Sequence, residues 1–178
     1  MRLQDIRLIY DYNYWATRRL LAAAEKLPRE QFLAPAAFPY GGLRGTLVHI
    51  MDAEHGWGML FQQGRQNGDG SRTELRWLAE DMIETDFPTL DSLEIRWLDE
   101  EAVMRKYLSN LKEDDLAGIL RWTNPDDTKR ERVLWHCLFH VVNHGTQHRS
   151  EAAAILTDLG QSPGDVDFTL FLRETYTA

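Results

Sequence analysis

LWHCLFHVVNHGTQHRSEAAAIL, residues 134–156, is the stretch on which the architecture turns. It contains no proline and carries apolar residues at helical spacing. On a wheel of about 100° per residue with His144 at zero, Val133 and Ile155 fall within about 20° of it. Val141 lies at about 60°, and Leu134 and Ala152 at about 80°. One face is therefore apolar, centred a little to one side of His144. His136, His140, His144 and His148 recur every fourth residue, so successive imidazoles precess by about 40°. His144 and His148 lie inside the apolar face, His140 at its edge, and His136 well off it. Two inward imidazoles on one helix have two readings: hydrogen-bonded core histidines, or ligands of a metal ion.

A third histidine on another helix weighs toward metal. In LRGTLVHIMDAEHGW, residues 43–57, His49 shares a face with Ala53, Gly56 and Leu60. The small residues there would let a neighbouring helix approach closely or leave room for a ligand. His55 points about 120° away and is expected in solvent. Three neutral imidazoles, His49, His144 and His148, could hold a divalent ion and leave positions open for water or substrate.

Four long amphipathic helices are expected around this pair of faces. The first runs from Leu3 to Leu27 and is stopped by Pro28; the second runs from about Leu43 to Gln63 and ends in GRQNGDGS. Residues 65–88 form a long connection with a helical turn around ELRWLAEDM, long enough to cross between helices that are not antiparallel neighbours. The third helix follows Pro88, with Leu93, Trp97, Met104, Leu108 and Leu111 on one stripe. Asn124-Pro125 marks a turn, and ILRWT, residues 119–123, is briefly extended. The fourth helix is expected to begin between Thr128 and Glu131 and to stop at Gly160. The tail GDVDFTLFLRETYTA adds a short fifth helix. The fold class is all-α: a single domain over residues 1–178, a four-helix bundle with a long crossover connection.

At 178 residues and 43% hydrophobic content, the chain can bury one substantial core. A formal charge of −8 argues against nucleic acid as partner, and the scattered Lys and Arg argue against an anionic membrane surface. No apolar run approaches a bilayer span, and MRLQDIRLIYDYN lacks a signal-peptide core. The one cysteine, Cys137, suits a reducing cytoplasm and reads as a buried core thiol. Trp15, Trp57 and Trp97 fall at core positions, whereas Trp77 and Trp122 lie in connections and could line a pocket mouth.

The combined motifs resemble the DinB/YfiT-like family, the DNA-damage-inducible four-helix metalloproteins, unrelated to the DNA polymerase that shares the label. YNYWATRRLL and LPREQF are similar to that family's first helix and its exit. His49, Ala53, Glu54 and Trp57 resemble its second-helix motif, and His144 with His148 its last-helix pair. The resemblance implies that His49, His144 and His148 ligate a divalent metal, zinc or nickel first, iron or manganese next. Relatives include S-transferases that use low-molecular-weight thiols, and a thiol-dependent isomerase. It therefore implies a metal site that activates such a thiol toward a small-molecule substrate, in a cytoplasmic homodimer. Two other readings stand beside it: a metal-dependent hydrolase, and a non-catalytic stress-responsive metal- or ligand-binding protein. Where the family often reads His-Arg-Gly-Gln, this chain reads His148-Arg149-Ser150-Glu151. Glu151 could orient a ligand imidazole, act as a base on metal-bound water, or pair with an arginine. Asp52, three residues after His49, invites the same readings.

Overall fold

The structure, a computed structural model, describes residues 1–64, 75–78 and 80–176. Among these described residues six α-helices follow in chain order: α1 (Leu3–Ala24), α2 (Arg29–Phe32), α3 (Leu43–Gln63), α4 (Leu90–Ser109), α5 (Leu134–Asp158) and α6 (Phe168–Thr175). A small sheet of β1 (Leu75–Arg76), β2 (Ile119–Thr123) and β3 (Lys129–Val133) closes one end. The four long helices, α1, α3, α4 and α5, make the bundle. Each neighbour pair is tied by side chains whose order gives its direction. Arg7 reaches the Leu108 carbonyl and Arg18 reaches Glu101, so α1 and α4 are antiparallel. His55 meets Glu100 and Phe61 stacks on Tyr107, so α3 and α4 run parallel. His49 meets His148 and Trp57 meets His140, so α3 and α5 are antiparallel. Parallel neighbours α3 and α4 require the chain to return along the bundle, and the connection between them is the long crossover.

Pro28 stops the first helix by its fixed φ and missing amide, and then opens α2. α4 starts on Thr89, which accepts the Ser92 amide at 3.2 Å in a capping box. α6 starts on Asp167, which accepts the Leu170 amide at 2.9 Å, and its Phe168 and Phe171 pack on Tyr12 of α1. No helix among the described residues is long and apolar enough to cross a membrane.

Three expectations are corrected. Leu75–Arg76 is a strand paired in parallel with Trp122–Thr123, not a helical turn, because Trp77 donates its amide to the Thr123 carbonyl at 3.0 Å. Among the described residues of that connection, Glu84–Asp86 makes a 3-10 turn; most of GRQNGDGS, with Glu74 and Ala79, lies outside the described residues. The last long helix begins at Leu134, not near Thr128. Thr128 is spent on the hairpin turn instead: its hydroxyl donates to Asp126 at 2.6 Å and accepts from Asn124 at 3.0 Å. Residues 129–133 pair antiparallel with β2, and the Leu134 amide finds the Gly118 carbonyl at 2.8 Å. Leu111 lies beyond the end of α4, although it still packs on the core.

The core falls into two apolar clusters. Leu60, Phe61, Met104, Leu138 and Val142 belong to one, and Leu47, Met51, Leu93, Trp97 and Ala152 to the other. On α3, α4 and α5 the residues between them are polar and buried: Glu54, Glu100, His148 and Arg149. α1 adds Asn13 and Thr17. The site forms at this level.

Candidate metal centre

Antiparallel packing of α3 on α5 places His49 opposite His144 and His148. Each of the three offers a ring nitrogen, and these atoms all lie within 4.8 Å of one another. The Nε2 atoms of His49 and His144 are 3.0 Å apart. An ion held tetrahedrally at 2.0–2.1 Å from each nitrogen separates its ligands by about 3.4 Å, so small side-chain adjustments suffice. The rings meet edge to face, at centroid distances of 4.8 Å (His49–His144), 4.7 Å (His49–His148) and 4.5 Å (His144–His148). The donor set fits a divalent metal of borderline softness.

Electrostatics favours the ligating form. Burial, with His148 beside it, pushes His49 down to about 4. Burial, then the neighbouring His148, His49 and His140, pushes His144 to about 4 as well. Both rings are neutral at pH 7 and present lone pairs rather than N–H⁺ groups. Across His148, the Nδ1 atom lies 2.8 Å from the Glu151 carboxylate, which fixes the tautomer that turns Nε2 toward the other two rings. Among the described residues Glu151 therefore meets His148.

Asp52 accepts the Met82 amide at 2.9 Å, tying the crossover to α3, and burial raises its pKa. It lines a cavity of about 200 Å³ that opens beside His49 and His144. The far walls are Trp57, Trp77 and His140, with Trp57 and Trp77 perpendicular at 5.4 Å. Gly56 is required there: a Cβ would stand 2.6 Å from the Trp77 ring. The small His49 face thus leaves room for a tryptophan from the crossover as well as for a ligand. Tyr40 covers His49 from the other side, its ring stacked at 3.5 Å and 12°. Gly45 permits this, since a Cβ there would meet the Tyr40 carbonyl at 2.1 Å.

The remaining histidines stay outside the cluster. His140 lies against Trp57 on the cavity rim, with its ring 5.8 Å from that of His144. His136 is exposed beside Trp135. His55, expected in solvent, is half-buried instead, 3.0 Å from Glu100 at the α3–α4 seam. Cys137 is buried, and burial raises its thiol to about 11, which leaves it inert at neutral pH.

Behind the histidines lies a network that sequence reasoning did not find. Tyr14 donates to Glu54, Asn13 bridges Glu54 and Arg149, and Arg149 also donates to Thr146 at 2.9 Å. Glu54 and Arg149 are 3% and 2% exposed, so each charge needs these partners. Burial pushes Glu54 up to about 7 against the pull of Tyr14, Arg149 and Asn13. Tyr40 was missed as well. Its one signal is the Tyr-Gly-Gly run before α3, with Gly41 at φ +75°.

The family model described as DinB family matches residues 2–177 of the chain. A curated protein named Protein DinB, from Bacillus subtilis (strain 168), is 27% identical over 171 residues, covering 95% of this chain and 94% of that protein.

Proposed function

The chain belongs to the DinB family, and on that premise we propose that it is a divalent-metal-dependent enzyme of the thiol S-transferase type. The observation that carries the proposal is the convergence of three imidazole nitrogens beside a cavity, with the rings of His49 and His144 held neutral by burial. A bound divalent ion supplies positive charge that lowers the pKa of a coordinated thiol and makes its thiolate available at neutral pH. His49 and His144 offer lone pairs without first losing a proton. Glu151 holds His148 in one tautomer and one orientation. Tyr40 shields the His49 ring, while Trp57 and Trp77 bound the space in which a thiol and a small electrophile would meet.

A hydrolytic reading draws on Asp52, whose raised pKa and place in the cavity wall suit a proton acceptor. Its bond to the Met82 amide favours a structural tie instead.

The test starts with elemental analysis of tag-free protein beside His144→Ala prepared identically. Near-stoichiometric metal in the parent and little in the variant supports the centre. A folded parent that takes up none of zinc, nickel, iron(II) or manganese removes it. With the loaded protein, turnover of an electrophile that requires an added low-molecular-weight thiol supports transfer. Turnover without thiol selects hydrolysis, and metal binding with neither activity selects the non-catalytic binding protein.

A further inference from the structure

The cavity beside His49 and His144 is walled by side chains that the metal does not need. Trp57 and Trp77 stand perpendicular at 5.4 Å and form a corner of it. Two carboxylates, Asp52 and Asp81, line it as well, and among the described residues no Lys or Arg does. At about 200 Å³ it is smaller than the roughly 300–1,000 Å³ of pockets for drug-sized ligands. It therefore takes a head group of a few heavy atoms.

Both aromatic walls are held in place by the fold. Trp57 packs edge to face on Trp122 at 5.5 Å as well as on Trp77. Trp77 is anchored by its amide on the Thr123 carbonyl at 3.0 Å, and its ring lies in the space that Gly56 leaves open. The carboxylates keep free oxygens. Asp52 gives only Oδ1 to the Met82 amide. Its second oxygen, and both oxygens of Asp81, have no hydrogen-bond or ion-pair partner among the described residues. Burial raises the Asp52 carboxyl, and Asp81 lies close enough to add to the rise. His55 draws it down, but that ring is itself held by Glu100 at 3.0 Å.

We propose that this cavity is an aromatic cage for an organic ammonium group, primary or quaternary, on a small molecule that the metal centre acts on. A cation over an aromatic face is attracted by the ring quadrupole, and tryptophan is the strongest partner of this kind. An anion would find two carboxylates against it and no cationic side chain. A neutral apolar group would strip water from Asp52 and Asp81 without replacing it. An ammonium group satisfies the indoles and the carboxylates together. Its place on a substrate rests on the functional reading above, because that reading makes the neighbouring histidines a reaction centre. The binding itself needs no metal.

The test is calorimetric titration of the full chain with choline and with neohexyl alcohol, its uncharged carbon isostere, after chelation and again with zinc added. Choline should bind about tenfold or more tighter than the alcohol. Trp77→Leu keeps an apolar wall but removes the π face; it should weaken choline about fivefold and leave the alcohol within about twofold. Asp81→Asn, at an exposed position, should weaken choline about threefold and leave the alcohol unchanged. Circular dichroism confirms the fold of both variants. Equal affinity for choline and the alcohol, or no choline binding tighter than about 10 mM, overturns the proposal. So does a choline affinity that neither substitution alters. Zinc uptake is read on the same samples: zinc bound without choline removes the cage and leaves the metal centre, and choline bound without zinc does the reverse. On zinc-loaded protein, cysteamine displacing choline about tenfold better than ethanolamine places the ammonium on the thiol, and equal displacement places it on the electrophile.

Discussion

Removing the Glu151 carboxylate isolates one hydrogen bond at the site. In Glu151→Ala, the His148 Nδ1–H loses an acceptor at 2.8 Å, and the ring is free to rotate or to change tautomer. A hydrogen bond to a charged group contributes about 1.5–3 kcal/mol. Losing a carboxylate that orients a metal-ligating histidine costs about 10- to 100-fold in metal affinity, or about 1.4–2.7 kcal/mol. The two ranges agree. Glu151 keeps 20% of its side chain exposed, so water can take over part of its role and the lower half of the range applies, about 10- to 30-fold. Glu151→Gln retains an amide oxygen that still accepts from Nδ1–H, and should lose less, about threefold to tenfold. The assay is competition with a chromophoric zinc chelator at pH 7.5, with circular dichroism confirming the fold. If the alanine variant binds zinc within twofold of the parent while His148→Ala abolishes binding, the orienting role assigned to Glu151 is wrong.

Other outcomes follow from the same geometry. Gly56→Ala drives a Cβ to 2.6 Å from the Trp77 ring; overpacking should cost about 1–3 kcal/mol, less the gain of about 1 kcal/mol in helix propensity, and shift tryptophan emission. Unchanged emission and stability would show that Trp77 does not sit there in solution. Arg149→Met leaves the buried Glu54 carboxyl and the Asn13 amide without their cation, and urea unfolding should report a loss of about 3–5 kcal/mol; a loss below about 1 kcal/mol contradicts the network. For pH, His49 and His144 at about 4 remain almost wholly neutral at pH 5.5, whereas two ordinary imidazoles would be mostly protonated there. Protonation of these two rings should therefore weaken zinc binding by less than about twofold between pH 7.5 and 5.5, and a fall of a hundredfold or more would mean ordinary basicity.

What the sequence disclosed, and what it withheld, divides along physical lines. Helical periodicity is written by burial, and α3, α4 and α5 each carry enough buried aliphatics for the pattern to survive. The same wheel chose His49, His144 and His148 because inward histidines stand out on an apolar face. β3 left no such trace. Lys129, Arg130, Glu131 and Arg132 are all exposed, as suits an edge strand guarded by charge, so the segment has neither alternation nor apolar content to read. β1 pairs with residues more than forty positions away, and no local pattern encodes a partner at that distance. His55 was misplaced for a related reason. Its angle from His49 was sound, but a wheel drawn on one helix does not know that α4 lies against the far side.

The buried polar level joins these observations. A layer of charge through a bundle core destabilises the fold relative to apolar packing, yet here it spans all four long helices between two aliphatic clusters. Asn13 of α1 holds Glu54 of α3 and Arg149 of α5 at once. Glu54 lies a little over one turn from His49, and Arg149 directly follows His148. A slip of α3 against α5 by one residue would break at least one of these bonds, since Asn13 cannot follow both helices, and would also part the histidines. Aliphatic contacts are non-directional and so define register less sharply than directional bonds do. Directional bonds to a buried amide do not tolerate such a shift. The network thus sets the register that the histidine cluster needs, which explains why the polar layer and the cluster occupy the same level of the bundle.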